Sequence, residues 1–166
     1  SDSSPRAKSS FKGGSEVSES VPTASAIINF SEKLEDDSSR LYEKLAERFR
    51  QNKELFISFV QESRKNRLLV TRTYQETITD ALEACFSFKG LKLSDYAAPT
   101  TLAESTSYSD ALRMAVQFEE KACKFYMDAA ECSGSLLATI PKAFKKAAEV
   151  RNKRKLKLMS LLDNAK

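Results

Sequence analysis

The sequence predicts an all-α fold, an antiparallel four-helix bundle built from two helical hairpins with one long crossover between them. Three observations carry that prediction. Beyond residue 25 the only glycines and prolines are Gly90, Pro99, Gly134 and Pro141, so the stretches between them are long and free of helix breakers. Along those stretches apolar residues recur at spacings of three and four, the period of one helix face. Residues of about 26–50 also repeat in about 108–132, and those of about 53–87 in about 140–164, the mark of a duplicated hairpin.

Taken in order, residues 1–25 hold nine serines, two prolines and the Gly13-Gly14 pair, with few large apolar groups. Such a segment has too little to bury to offset its ordering entropy. It reads as a disordered Ser-rich tail or linker, leaving the bundle to residues 26–166. Helix A, about 26–50, carries the line Ile27, Ser31, Leu34, Ser38, Leu41, Leu45, with Ile28, Glu35, Tyr42 and Phe49 beside it. Helix B, about 53–87, carries Leu55, Phe59, Glu62, Asn66, Leu69 and Thr73. Residues 88–106 contain Gly90 and Pro99 and form the crossover. Helix C, about 108–132, carries Ala111, Ala115, Phe118, Ala122, Phe125 and Ala129, flanked by Leu112, Glu119 and Tyr126. Helix D, about 140–164, carries Phe144, Ala148, Arg151, Lys155, Leu158 and Leu162, with Pro141 in its first turn, where a missing N–H costs nothing. The A–B and C–D connections are short, so each pair is expected to be an antiparallel hairpin.

Composition narrows the chemistry. A chain of 166 residues suits one domain, and 41% hydrophobic content is enough for a core. There is no His, which removes Ser-His and Cys-His catalysis, imidazole ligation and the usual switch near neutral pH. Cys85, Cys123 and Cys132 form no CxxC pair and no zinc spacing, and read as small buried thiols in a reducing compartment. No apolar run reaches the roughly 18 residues of a membrane span. The N-terminal segment lacks the apolar stretch of a secretory signal, and Asp2, Glu16 and Glu19 argue against a mitochondrial presequence. The expected setting is cytoplasmic. Charge gathers in residues 142–157, where Lys142, Lys145, Lys146, Arg151, Lys153, Arg154, Lys155 and Lys157 face Glu149 alone. This segment is either a solvated basic helix face or a surface for phosphates or an anionic membrane, and no nucleic-acid motif accompanies it.

The repeat is specific enough to suggest a family. Laying Tyr42 on Tyr126 brings Ile28 onto Leu112, Leu34 onto Phe118 and Glu35 onto Glu119. In helices B and D, Leu55 falls on Phe144, Phe59 on Ala148 and Leu69 on Leu158. A Glu seven residues before a Tyr, in EDDSSRLYEKLAE and EEKACKFYMDAAE, resembles helices A and C of the rubrerythrin branch of ferritin-like proteins. FVQESRKNRLL is similar to that family's E-x-x-H helix, and FKKAAEVRNKRKLKLM matches it by spacing alone. The resemblance implies a ferritin-like bundle over about residues 26–164, in a family whose members often dimerise.

It also implies a site for two metal ions, built from one Glu on each of two helices and a Glu-x-x-His on each of the others. Carried over, the positions in helices A and C are Glu35 and Glu119. In helix B they are Glu62 and Lys65, and in helix D Arg151 and Arg154. A protonated Lys or Arg has no lone pair for a metal. Unit charges 4 Å apart repel by about 4 kcal/mol at an effective dielectric of 20, and a divalent ion doubles that. The expectation is a lost metal site, no cofactor, and a buried Glu–Lys/Arg salt-bridge network in its place. Alternatively Lys65 and Arg154 reach solvent and Arg151 alone pairs inside.

Three functions then stand: a non-catalytic structural or interaction module with a protein partner or a second copy; a residual iron or manganese protein using Glu35, Glu62 and Glu119; and an adaptor laying basic helix D on anionic membrane or nucleic acid. Tyr42 and Tyr126 read as core residues with hydroxyl partners rather than redox tyrosines. Cys123, without a His to activate it, reads as packing.

Overall fold

The computed structural model describes residues 21–77, 87–134 and 139–165. It contains four long helices: α1 (Ala24–Arg48), α2 (Lys53–Thr77), α3 (Tyr108–Cys132) and α4 (Thr139–Asn164). Among the described residues the only β pairing is an isolated bridge between Thr23 and Ser87.

Each helix start has a local cause. Thr23 is extended and its hydroxyl accepts from the Ala26 amide at 3.2 Å, so α1 begins two residues before the expected boundary. Pro22 is buried and its carbonyl accepts from the Phe88 amide at 2.9 Å. Residues 22–25 therefore belong to the fold rather than to the tail, while residues 1–20 lie outside the described residues. Ser107 caps α3 through the Asp110 amide at 3.1 Å, and the Asp110 carboxylate sits at the positive end of the helix dipole. Pro141 lies in the first turn of α4. The expectation that the second helix reaches 87 is corrected: Ser87 is in the bridge, and residues 78–86 lie outside the described residues.

Side-chain rungs fix the directions. Between α1 and α2 they are Ser25–Tyr74 (2.9 Å), Glu32–Thr71 (3.2 Å) and Ser38–Ser63 (3.0 Å), an antiparallel ladder. Glu119–Arg151 and Cys123–Ala148 do the same for α3 and α4. Ser31–Tyr126 and Tyr42–Glu119 make α1 antiparallel to α3. Phe59–Arg154 and Thr77–Thr139 make α2 antiparallel to α4. The circuit runs α1, α2, α4, α3, and the diagonal helices are parallel.

The connection from α2 to α3 must therefore travel the length of the bundle, about 37 Å for a 25-residue helix. Its described part follows the α1–α3 groove. Gly90, at φ +86°, takes the left-handed turn that closes Leu91 N–H onto the Phe88 carbonyl. Tyr96, in a short 3₁₀ turn, packs edge-on to Phe125 with ring centroids 5.5 Å apart and donates to Asp128 at 2.6 Å. At the far end the Arg48 guanidinium gathers the carbonyls of Ala103, Glu104 and Thr106.

Burial reproduces the internal repeat. Every buried α1 residue from Ile27 to Ala46 has a buried counterpart in α3 at the spacing of Tyr42 to Tyr126. On α2 the buried residues are Phe56, Phe59, Val60, Ser63, Asn66 and Val70. They correspond to Phe144, Ala147, Ala148, Arg151, Arg154 and Leu158 on α4. That register differs by one residue from the sequence alignment, which laid Leu55 on Phe144. The helix is turned so that Leu55, Glu62, Leu69 and Thr73 lie at the edge of the core and Phe56, Ser63 and Val70 within it. Fully burying Phe56 is worth about 1.5–3 kcal/mol.

Candidate functional site

At mid-height the apolar core gives way to charge. Glu35 from α1, Glu119 from α3, and Arg151 and Arg154 from α4 are all buried, each on its helix's inward stripe. Helix geometry brings Arg151 and Arg154 to one face, three residues apart. The repeat sets Glu35 and Glu119 at the same level on antiparallel helices.

Arg151 bridges the two carboxylates. One terminal nitrogen donates to Glu119 Oε1 at 2.9 Å, to Oε2 at 3.1 Å and to the Ser38 hydroxyl at 2.9 Å; the other donates to Glu35 Oε2. Arg154 donates to Glu119 Oε1 at 3.3 Å, Ser63 Oγ at 3.1 Å and Ser38 Oγ at 3.2 Å. Its second terminal nitrogen reaches the Phe59 carbonyl at 3.1 Å and Glu62 at 3.2 Å. The tyrosines complete a reciprocal pattern: Tyr126 donates to Glu35 and Tyr42 to Glu119, each at 2.6 Å. Asn66 Nδ2 adds a 3.4 Å contact to Glu35, and the guanidinium carbon of Arg154 lies 4.8 Å from the Phe59 ring centre. The Nε atoms of both arginines have no partner among the described residues.

Burial and pairing set the protonation states. Burial raises the Glu35 carboxyl above its ordinary value, against the pull of Arg151, Tyr126 and Arg154. Burial also works against the charge of Arg151, yet Glu119 and Glu35 hold its proton more firmly than water does. Tyr42 and Tyr126 are pushed well above the usual phenol value by burial and by the carboxylates they serve. These tyrosines are hydrogen-bond donors. Glu35 is sealed from solvent with both oxygens engaged, Oε1 accepting from Tyr126 and Asn66 and Oε2 from Arg151. Cys123 and Cys132 are half-buried rather than buried. Partial burial raises the Cys123 thiol, which points at the Ala148 carbonyl 3.6 Å away, so it is not an activated nucleophile.

The donor set does not fit a metal pair. The position between Glu35 and Glu119 is occupied by a guanidinium that offers hydrogens and positive charge, with a second guanidinium beside it. Among the described residues no group of three or more His, Cys, Asp or Glu is placed to hold a metal ion.

The sequence-predicted residues divide. Glu35, Glu119, Arg151 and Arg154 come together; Glu62 joins at the rim, its side chain 38% exposed. Lys65 does not join. It is exposed, because α2 is turned so that Ser63 and Asn66 occupy the inward places expected for Glu62 and Lys65. The network is thus Glu–Arg rather than Glu–Lys/Arg. Ser38, Ser63 and Asn66 are members that the sequence reading did not assign to the site. Ser38 and Asn66 stand in the apolar lines read from the sequence, where a small polar residue needs a partner; Ser63 stands outside the line read for its helix. Lys142, Lys145, Lys146, Lys153 and Lys157 are exposed and Lys155 is half-buried. Above the cluster, the outer α1–α2 groove carries Arg67 paired with Glu32 and Asp36, and Arg64 paired with Glu43.

No family model, curated protein or solved structure matches the chain.

Proposed function

We propose that this chain is a non-catalytic, rubrerythrin-like module of the ferritin-like kind, whose di-metal site has given way to a salt-bridged core and whose role is structural or protein-binding. The carrying observation is the Arg151 guanidinium seated between Glu35 and Glu119. It supports the reading because the repeated carboxylates and tyrosines keep a two-fold pattern around a centre that a cation of the protein itself now fills. The reciprocal bonds Tyr42–Glu119 and Tyr126–Glu35 support the same descent from a duplicated hairpin.

Elemental analysis tests it, after expression with excess iron and manganese and mild purification. The expected result is a folded helical protein with metal far below one ion per chain. Stoichiometric metal, lost together with helicity on chelation, would sink the proposal and send the work to oxidase and peroxidase assays.

A further inference from the structure

The surface cations of this bundle are not treated alike. On α1, α2 and α3, Lys33, Arg40, Arg64, Arg67, Arg113 and Lys124 each lie within 4 Å of a carboxylate, while Lys44, Lys53, Lys65, Arg72 and Lys121 have no ion pair among the described residues. On α4, none of Lys142, Lys145, Lys146, Lys153 and Lys157 has an ion pair with an acid among the described residues. At 100° per residue, Lys142, Lys145, Lys146 and Lys153 share the outward side of α4, opposite the stripe that carries Arg151. Leu156 lies on that side, 56% exposed, with Met159 at its flank, 43% exposed. The α2–α4 register places Ile57, also exposed, level with Met159.

We infer that the outer face of α4 docks peripherally on an anionic phospholipid surface. Lys142, Lys145, Lys146 and Lys153 surround one exposed acid, Glu149, so the row keeps a net positive charge. Such a row is complementary to a sheet of negative headgroups, and each lysine near such a surface is worth about fivefold in binding. Lysine stems cover apolar surface while their ammonium groups stay in water, which suits them to flank Leu156 and Met159 at the headgroup boundary. Nucleic acid would use the charge but not the apolar side chains, and the face offers no aromatic ring for base stacking. No helix among the described residues is long and apolar enough to cross a membrane, so the association is a surface one. The inference stands on exposed residues and does not depend on the history proposed for the buried cluster.

The test is flotation of the full chain with phosphatidylcholine vesicles, with and without phosphatidylserine, over a salt series and beside a duplex DNA control. Expected are phosphatidylserine-dependent flotation that weakens as salt rises, a loss of about twenty-fivefold in Lys145→Gln/Lys153→Gln, and a further loss in Leu156→Ser/Met159→Ser that persists at high salt. All four positions are exposed, so helicity and thermal midpoint should match the parent. Failure to float with phosphatidylserine vesicles overturns the inference. So does equal binding to phosphatidylcholine alone, or DNA binding in which the Leu156/Met159 variant behaves as the parent and vesicles are ignored.

Discussion

Glu35 has one full counter-charge in direct contact, Arg151, and both groups are out of water. Replacing Arg151 with Met keeps much of the volume and removes that charge. The expected cost is about 3–5 kcal/mol, because an uncompensated carboxylate stays buried. Chemical denaturation of Arg151→Met against the parent measures it. The pH dependence has a definite sign. A carboxyl whose folded pKa lies above its unfolded value binds more protons folded than unfolded, so stability falls as pH rises through that window. Without Arg151 the Glu35 window extends further upward. The deficit should therefore be smaller at about pH 5 than at about pH 8, and an equal deficit at both would refute an ionised Glu35. At this scale much was legible. The Glu-to-Tyr spacing in EDDSSRLYEKLAE and EEKACKFYMDAAE locates both carboxylates and both tyrosines from letters alone. Ser63 was not legible as a site residue, because a serine looks the same on a wet face as on a buried one.

The same limit operates on a whole helix. Helices α1 and α3 have small or apolar residues on one side and charge on the other, so the sequence names their inward faces without ambiguity. Helix α2 has Leu55, Phe56, Ile57, Phe59 and Val60 in nearly continuous succession, and Leu68, Leu69 and Val70 again later. Two adjacent stripes then carry similar apolar content, and only the space left by α1 and α4 selects between them. Lys65 was misplaced for that reason. The crossover was legible as a long connection but not as a packed element. Its anchor is Tyr96, which donates to Asp128 while Lys124 binds the same oxygen at 2.6 Å. Tyr96→Phe should cost about 1 kcal/mol and loosen residues 91–98, read as faster amide exchange there than in α1. Partial burial opposes the Asp128 charge, but the bonds from Lys124 and Tyr96 hold its carboxyl below the usual value. A carboxyl lowered in this way stabilises the fold above its unfolded pKa and loses that contribution as pH falls through the folded one. The difference between Tyr96→Phe and the parent should therefore vanish in strong acid. A difference that persists would mean that the ring's packing, not the hydroxyl, anchors the crossover.

For the molecule as a whole, the cluster is expected to make the arrangement specific more than stable. Removing one partner is costly, but replacing the entire set by apolar residues of similar volume is commonly neutral or stabilising. A variant carrying Glu35→Leu, Glu119→Leu, Arg151→Met, Arg154→Met, Tyr42→Phe and Tyr126→Phe should fold with a thermal midpoint at or above the parent's, whereas Arg151→Met alone falls by about 10 °C. A large loss in the sixfold variant would show that the charges are a net source of stability. The four-helix architecture survives either result, since the breaker-free stretches and their period dictate it.

The pseudo-two-fold pattern is broken in one respect, and the break decides which halves belong together. The α1–α2 hairpin brings Glu35 to the buried level with Ser63 and Asn66 and no cation, while the α3–α4 hairpin brings Glu119 with Arg151 and Arg154. Two copies of the first hairpin would bury two carboxylates facing neutral groups. Two copies of the second would bury four guanidiniums against two carboxylates. Only the unlike pairing balances, with one hairpin a carboxylate donor and the other holding the spare guanidinium. A duplicated chain of near-identical halves risks exchanging them between neighbouring molecules. Here the electrostatics of the seam penalise each half for meeting its own kind, and the two hairpins of one chain recognise each other as complements.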